Sequence, residues 1–222
     1  MSASLKLVLW DLDGVLCPHN VAFFKLAPLA VAQAALSLGV PMSAAEAQEF
    51  AIANFTGQRA CVWAFARRFS LDEERLFARY YAHLSADFLT ASPDFQNALG
   101  RLRASMRHGV LTHAPQSWIH RALEKLQLLP FFEPDFIWGR EQLGEQHKTD
   151  PQTKAILLDK FHHHALTPLQ TAIVDDKSAV LEAMRDCAQT LILVSRDSPA
   201  QLPEGIRIVP DALMATALLT DR

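Results

Sequence analysis

The sequence is poor in cysteine, and the few cysteines have no arrangement that indicates a disulfide framework. Of its 222 residues only three are cysteines, Cys17, Cys61 and Cys187, and they lie far apart along the chain. Disulfide-rich domains and zinc sites need more cysteines at shorter spacings. A reducing compartment suits such a chain, and we expect a cytoplasmic protein.

The chain also lacks a basic stripe and a long apolar run. Lys and Arg total 21 against 24 Asp and Glu, and the formal net charge is −3. Nucleic acid and anionic membrane surfaces are therefore not expected as partners. No apolar run reaches the roughly 20 residues of a membrane span, and the N-terminus has no signal-peptide pattern. The expected partner is a small molecule; whether the protein is a monomer or a dimer stays open.

What the sequence does contain is a buried strand that ends in two acids. Residues 7–10 are apolar enough for a strand covered on both faces, and Asp11, Asp13 and Gly14 follow them. On an extended strand Asp11 and Asp13 would point to the same side. The carboxyl ends of such strands are where open α/β sheets bind ligands. An Asp-Gly turn that merely ends the strand is the alternative reading.

A second apolar strand, near residues 171–174, ends in Asp175 and Asp176. Clustered carboxylates repel each other unless a cation joins them, so two such strand ends indicate a cation-binding site. Two further residues are placed to hold an anion: Thr112 ends an apolar strand, and Lys148 stands just before a helix start. Taken singly, a Thr at a strand end and a surface Lys are both ordinary features.

The chain has two regions of different pattern. Residues 17–91 carry helix signals only, including capping-box patterns that begin at Ser43 and Ser70. From residue 92 onward helices and strands alternate, which is typical of a doubly wound parallel sheet. We therefore predict an α/β fold, with a Rossmann-like core of residues 1–16 and 92–222 and an inserted all-helical segment, 17–91.

The run Asp-Leu-Asp-Gly-Val after a hydrophobic strand resembles the first motif of the haloacid dehalogenase-like (HAD) superfamily, mostly Mg²⁺-dependent phosphatases and phosphotransferases. Thr112, Lys148 and the pair Asp175-Asp176 resemble its second, third and fourth motifs, in the family's order. The helical segment is similar to the cap that selects substrates in one group of the family. Four residues depart from the usual motifs: His113 replaces Asn, Thr149 replaces Pro, Lys177 replaces Ser, and Val180 replaces Asn or Asp.

The resemblance implies a role for each motif residue. Asp11 would attack phosphorus, and Asp13 would act as general acid and base. Because dehalogenases of the family lack the second acid, Asp13 favours phosphoryl chemistry. Thr112 and Lys148 would hold the phosphoryl group, with Lys177 as the competing lysine. Mg²⁺, which oxygen-only ligands suit, would be held by Asp11, the backbone carbonyl of Asp13, Asp175 and, directly or through water, Asp176.

The resemblance also suggests a substrate class. The run Leu-Thr-His-Ala-Pro around Thr112 is similar to phosphatases of the pyrimidine 5′-nucleotidase-like group, in which the position of His113 contributes mainly a backbone N–H. A cap loop with Gly57 and Arg59 resembles one that reaches the substrate, although a plain turn between helices is equally compatible. We expect a nucleoside monophosphate or a sugar phosphate as substrate. A sugar-phosphate mutase, or a catalytically idle phospho-ligand binding protein on this fold, is the alternative.

Overall fold

The fold is a parallel β-sheet with helices, and a helical segment is inserted after the first strand. The computed structural model describes residues 4–56, 58–144, 147–196 and 203–220. The strands are β1 (Leu7–Trp10), β2 (Arg107–Leu111), β3 (Ile137–Trp138), β4 (Thr171–Asp175), β5 (Thr190–Val194) and β6 (Ile206–Val209). The helices are α1 (Val21–Ser37), α2 (Ala44–Ala53), α3 (Gln58–Phe69), α4 (Glu73–His83), α5 (Pro93–Leu102), α6 (Gln116–Lys125), α7 (Arg140–Leu143), α8 (Pro151–His163), α9 (Ser178–Ala183) and α10 (Ala212–Thr220).

All strands run parallel, in the order β3-β2-β1-β4-β5-β6. In register, Trp10 of β1 lies opposite Val110 of β2 on one side and Val174 of β4 on the other. The strand order reverses between β1 and β4, and doubly wound sheets bind ligands at the carboxyl ends of the strands at this point. The predicted fold class, a doubly wound parallel sheet with a helical insertion between its first two strands, is confirmed.

The central strand β1 can be buried because it carries no charged side chain. Leu7, Val8, Leu9 and Trp10 are all 0% exposed. A strand covered on both faces must be apolar at every position, whereas a strand with one wet face alternates. The first polar side chains after β1 therefore lie at the edge of the sheet, where the strand ends.

Side-chain caps set several helix starts, one of them as predicted. Asn20 accepts a hydrogen bond from the backbone N–H of Phe23 at 2.9 Å at the start of α1. Ser43 and Glu46 form the predicted capping box of α2. Asp150 accepts from Gln152 at 2.8 Å and begins α8. Each cap satisfies an N–H group that lacks a partner within its helix.

The capping box predicted at Ser70 is wrong. Ser70 adopts a left-handed backbone, with φ of 51°, and Asp72 instead caps α4 by accepting from the N–H of Arg75 at 2.7 Å. The helix that Asp72 caps ends at His83. The helix after Asp176 is short: α9 ends at Ala183 and a 3-10 turn follows.

The chain forms two compact units. One comprises Met1–Pro18 and Thr90–Arg222 and holds the whole sheet; the other comprises His19–Leu89 and holds α1–α4. Within the described ranges, the structure has no helix that combines the length and the apolar character needed to cross a membrane.

Candidate active site

The centre of the candidate site is the pair of acids at the ends of β1 and β4. Because Trp10 lies opposite Val174, the residues that follow, Asp11 and Asp175, lie side by side. The backbone N–H of Asp11 donates to the carbonyl of Val174 at 2.8 Å and extends the strand pairing by one residue. Both acids are buried. The reversal of strand order thus brings together two carboxylates that are far apart in the sequence.

Asp176 is the third acid of a compact cluster. One carboxylate oxygen from each of Asp11, Asp175 and Asp176 lies within 4.8 Å of the others. Oδ1 of Asp176 is buried and accepts no hydrogen bond from the described part of the chain. A buried oxygen in this state is costly to the fold unless a ligand compensates it.

Gly14 allows the turn after β1 to approach this cluster. Its φ of +98° lies in the left-handed region, and a Cβ atom at this position would overlap the carboxylate of Asp176. Glycine is therefore required here both by the backbone conformation and by the space that Asp176 occupies.

The ammonium of Lys148 lies between two of the acids. Its Nζ is 2.9 Å from Oδ1 of Asp11 and 2.6 Å from Oδ2 of Asp175, and it donates to the carbonyl of Leu111 at 3.2 Å. Three acceptors match the three N–H donors of an ammonium group. Since Lys148 is only 3% exposed, it is a buried, fully hydrogen-bonded cation rather than a surface lysine.

Burial and neighbouring charges shift the pKa values of these groups. Burial alone would lower the pKa of Lys148, but the charges of Asp11 and Asp175 outweigh it and raise that pKa, so the ammonium stays charged. Burial raises the pKa of Asp175 against the opposing charge of Lys148, and Asp11 adds to the rise. Burial and then the charge of Asp11 raise the pKa of Asp176. One ammonium therefore does not offset three carboxylates.

The donor set fits a hard divalent cation such as Mg²⁺. It consists of carboxylate oxygens, which Mg²⁺ prefers, and it carries more negative than positive charge in a largely buried place. The buried Oδ1 of Asp176 is available as a ligand or as an acceptor for a metal-bound water. Asp13 contributes no side chain to this cluster, and its predicted contribution was its backbone carbonyl.

Asp13 lies in the turn after β1 rather than on the strand. The strand ends at Trp10, and Asp13 forms an isolated bridge with Cys17. Strand alternation therefore does not determine the side on which Asp13 lies, because the regular strand ends at Trp10.

Trp118 is a residue of the site that the sequence reasoning missed. Its indole Nε1 donates to Oδ1 of Asp13 at 3.0 Å, and the ring is fully buried at the start of α6. The guanidinium of Arg121, one turn further along α6, lies 5.2 Å from the centre of the ring. A tryptophan on an apolar helix face predicts core packing, and nothing in the sequence pairs it with an acid 105 residues away.

Thr112 follows β2, the other neighbour of β1. Its backbone N–H donates to the carbonyl of Trp138 at 3.0 Å, which continues the pairing with β3. Its Oγ1 accepts from the N–H of Ala114 at 3.2 Å, and the side chain is buried. The hydroxyl is thus held at the carboxyl edge of the sheet, just before α6.

His113 contacts the segment that carries Lys148. Its ring Nε2 accepts a hydrogen bond from the backbone N–H of Lys148, and the ring stacks on His147 with 5.0 Å between ring centroids. The resemblance implied mainly a backbone N–H contribution from His113, and this side-chain contact was not predicted.

The remaining candidates lie at different distances from the centre. Lys177 is 60% exposed at its side chain, and its Nζ is 4.0 Å from Oδ1 of Asp176. Burial, followed by the charges of Asp13 and Asp11, raises the pKa of the Cys17 thiol, so it stays protonated and is a poor nucleophile. Gly57 and the side chain of Arg59 lie outside the described residues.

Residues 5–187 match a family of hydrolases, and the acids and the buried lysine at the carboxyl edge of the sheet all lie within this match. The matching model is that of the haloacid dehalogenase-like hydrolases, and it spans all four predicted motifs. The chain belongs to this family. The prediction of a HAD-like hydrolase is therefore confirmed.

Several solved structures share the fold along the whole chain. A candidate beta-phosphoglucomutase from Thermotoga maritima has a TM-score of 0.66 at 18% identity, with 98% of this chain and 99% of that chain covered. A HAD phosphatase from Thermococcus onnurineus has a TM-score of 0.61 at 21% identity, covering 97% and 98%. The HAD-hydrolase YfnB of Bacillus subtilis, described as bound to magnesium, has a TM-score of 0.61 at 13% identity, covering 98% and 99%. At these identities the likeness concerns the fold. No curated protein matches the sequence significantly.

Proposed function

We propose that the protein is a Mg²⁺-dependent phosphomonoesterase that forms an aspartyl-phosphate on Asp11. The observation that carries the proposal is the buried ammonium of Lys148 between Asp11 and Asp175. Buried ion pairs contribute little to stability because both charges lose their hydration. Three carboxylates that face a single ammonium instead suit a site that binds a phosphoryl group together with a metal cation.

Asp11 is the proposed nucleophile. Its Oδ1 accepts from the N–H of Leu12 at 2.8 Å and contacts Nζ of Lys148 at 2.9 Å, so the carboxylate is held in one orientation. Its Oδ2 is the proposed attacking atom. Oδ2 forms a bond to phosphorus while the bond from phosphorus to the ester oxygen breaks, and this covalent route divides one difficult step into two.

Asp13 is the proposed general acid and base. In the first step its carboxyl proton passes to the departing ester oxygen, which leaves as an alcohol. In the second step its carboxylate takes a proton from water, whose oxygen bonds to phosphorus while the acyl-phosphate bond breaks and Asp11 is regenerated. The hydrogen bond from Trp118 supports this role by fixing the Asp13 side chain.

Charge stabilisation comes from the remaining motif residues. Asp11, Asp175, Asp176 and the backbone carbonyl of Asp13 are the proposed Mg²⁺ ligands, and the bound ion would supply positive charge to the phosphoryl oxygens. The Lys148 ammonium and the Thr112 hydroxyl are proposed to donate to those same oxygens. Because the transition state of phosphoryl transfer spreads negative charge over these oxygens, positioned donors are the main contribution of the protein.

The proposed substrate is a small phosphorylated metabolite, with nucleoside 5′-monophosphates ahead of sugar phosphates. The run around Thr112 supports a nucleotidase, and His113 is its departure from that pattern. Residues 17–91 are the proposed cap over the site, and the segment with Gly57 and Arg59 is its proposed substrate contact.

Release of inorganic phosphate from a panel of phosphomonoesters tests the proposal. We expect turnover that is lost in excess chelator and restored by Mg²⁺, and near-complete loss in Asp11→Asn. Asp186→Asn is the matched control, because Asp186 is an exposed acid that pairs with Lys154 on the surface. Normal turnover in Asp11→Asn, or in excess chelator, would reject the proposal.

The same assay separates the alternatives. A sugar-phosphate mutase would use the same residues but would release phosphate poorly and depend on a bisphosphate primer. A catalytically idle binding protein would release none from any substrate. Phosphate release without a primer therefore supports the phosphomonoesterase against both.

A further inference from the structure

The hydrogen bond between His113 and Lys148 connects two motifs that are far apart in the sequence. His113 follows Thr112 at the end of β2, and Lys148 precedes α8. The bond runs from the backbone N–H of Lys148 to Nε2 of the His113 ring. A neutral imidazole that accepts at Nε2 carries its proton on Nδ1, so the contact selects one tautomer.

His147, the residue before Lys148, makes further contacts that hold the same segment. The ring of His147 stacks on His113, and its Nδ1 lies 2.8 Å from Oγ1 of Thr149. The carbonyl of His147 accepts from Oγ1 of Thr153 in the first turn of α8 at 2.9 Å. The bond from Thr153 anchors the segment to α8, whereas His113 anchors it to the end of β2, where Thr112 lies.

We propose that His113 is a positioning residue, whose Nε2 holds the backbone of Lys148 so that the ammonium meets the phosphoryl group. The catalytic part of this proposal rests on the proposed function. Lys148 is long and rotatable, and its Nζ must lie among three acceptors at once. A backbone that is already fixed leaves less conformational entropy of this segment to be lost when the transition state forms.

In this proposal the hydrogen-bond acceptor at position 113, rather than the imidazole ring itself, holds the backbone of Lys148. Gln can place a carbonyl oxygen about as far from the backbone as Nε2 of His, whereas the Asn carbonyl lies one bond nearer. His113→Gln should therefore keep kcat within about threefold of the parent, since one neutral hydrogen bond replaces another. His113→Asn, which restores the usual family residue, and His113→Leu should each lower kcat about tenfold with little change in KM.

A double-mutant cycle shows whether His113 acts through Lys148. In a Lys148→Ala background, His113→Leu should lower activity by less than about twofold, because the group it positions is gone. A second tenfold loss in that background would overturn the proposal. His120→Asn is the matched control, since the exposed His120 ring contacts the carbonyl of Gln116 in its own helix, and it should leave kcat unchanged.

Two measurements test the contact without any catalysis. Nitrogen-15 NMR of the histidine rings should show His113 as the Nδ1–H tautomer near neutral pH, and an Nε2–H tautomer would contradict the proposal. Amide hydrogen exchange at Lys148 should speed up in His113→Leu and stay slow in His113→Gln; equal exchange in both would also contradict it. If these results hold and no phosphatase activity exists, the proposed function fails while the His113 contact stands.

Discussion

The indole Nε1 of Trp118 donates a hydrogen bond to Oδ1 of Asp13 over 3.0 Å, which joins α6 to the turn after β1. A carboxyl group that must give a proton and later take one back needs a fixed position relative to the leaving oxygen. The buried indole supplies that restraint from one side, so the proposed acid and base is not a freely rotating side chain.

Trp118→Phe should therefore lower kcat/KM by roughly tenfold, because it removes one hydrogen bond to a charged group and keeps most of the buried ring. Trp138→Phe is the matched control: it also removes a buried indole donor, which bonds the carbonyl of Asp135 at 2.9 Å. Steady-state kinetics of both variants decide the matter. Equal losses in the two variants would show that Trp118 contributes only packing.

Lys148 should be the lysine that matters for catalysis. At an effective dielectric near 20, one charge at about 4 Å is worth roughly 4 kcal/mol, so Lys148→Ala should lower kcat on the order of 10³-fold. Lys177→Ala, which removes an exposed ammonium, should cost about tenfold at most. Steady-state kinetics on one substrate measure the loss of kcat in each variant, and thermal unfolding checks that each variant folds. The larger loss in Lys177→Ala would contradict the assignment.

Gly14→Ala should weaken metal binding. The new Cβ would push against the Asp176 carboxylate, so the Mg²⁺ concentration for half-maximal activity should rise about tenfold. Gly39→Ala is a matched control, because Gly39 also has a left-handed φ, +85°, but nothing lies within 4 Å of its added Cβ. Both variants should lose stability from backbone strain, and an equal shift in the Mg²⁺ requirement would contradict the role of Gly14.

His108 should make the stability of the fold depend on pH. Burial lowers its pKa from 6.5 to about 4, and its Nδ1 accepts from Nε1 of Trp10 at 3.3 Å. The unfolded chain therefore binds this proton first as the pH falls. The contribution of His108 is fully present above pH 6.5 and is lost as the pH falls towards 4, and it amounts to about 3 kcal/mol.

Urea unfolding between pH 7.5 and about 4.5 measures this effect. The free energy of unfolding should fall with pH in the parent and in His120→Gln, whose ring is exposed. In His108→Gln the fall should be much smaller, although the variant is less stable at every pH. An unchanged pH dependence in His108→Gln would show that other groups cause it.

Much of this site could be predicted because it follows from strand ends. An apolar run that stops at Asp11 or Asp175 predicts where a buried strand ends, and the reversal of strand order places those ends together. The contacts made by side chains from elsewhere could not be predicted. Nothing in the spacing shows that Trp118 reaches Asp13, or that the ring of His113 holds the backbone of Lys148.

The errors have local causes. Strand alternation was applied to Asp13, but the regular strand ends at Trp10 and a turn follows. At the second predicted capping box, Ser70 matched the pattern, yet Asp72 lies closer to the helix start and takes the role.

The central claim is that Asp11 becomes phosphorylated, and the most direct measurement is mass spectrometry of enzyme quenched in acid during turnover. The tryptic peptide from Leu7 to Lys25 contains both Asp11 and Asp13. Borohydride reduction of the acyl-phosphate marks the modified side chain and distinguishes the two. We expect one phosphoryl group on Asp11, absent from Asp11→Asn. A label on Asp13, or phosphate release with no labelled peptide in a slow variant such as Asp13→Asn, would show that Asp11 is not the nucleophile.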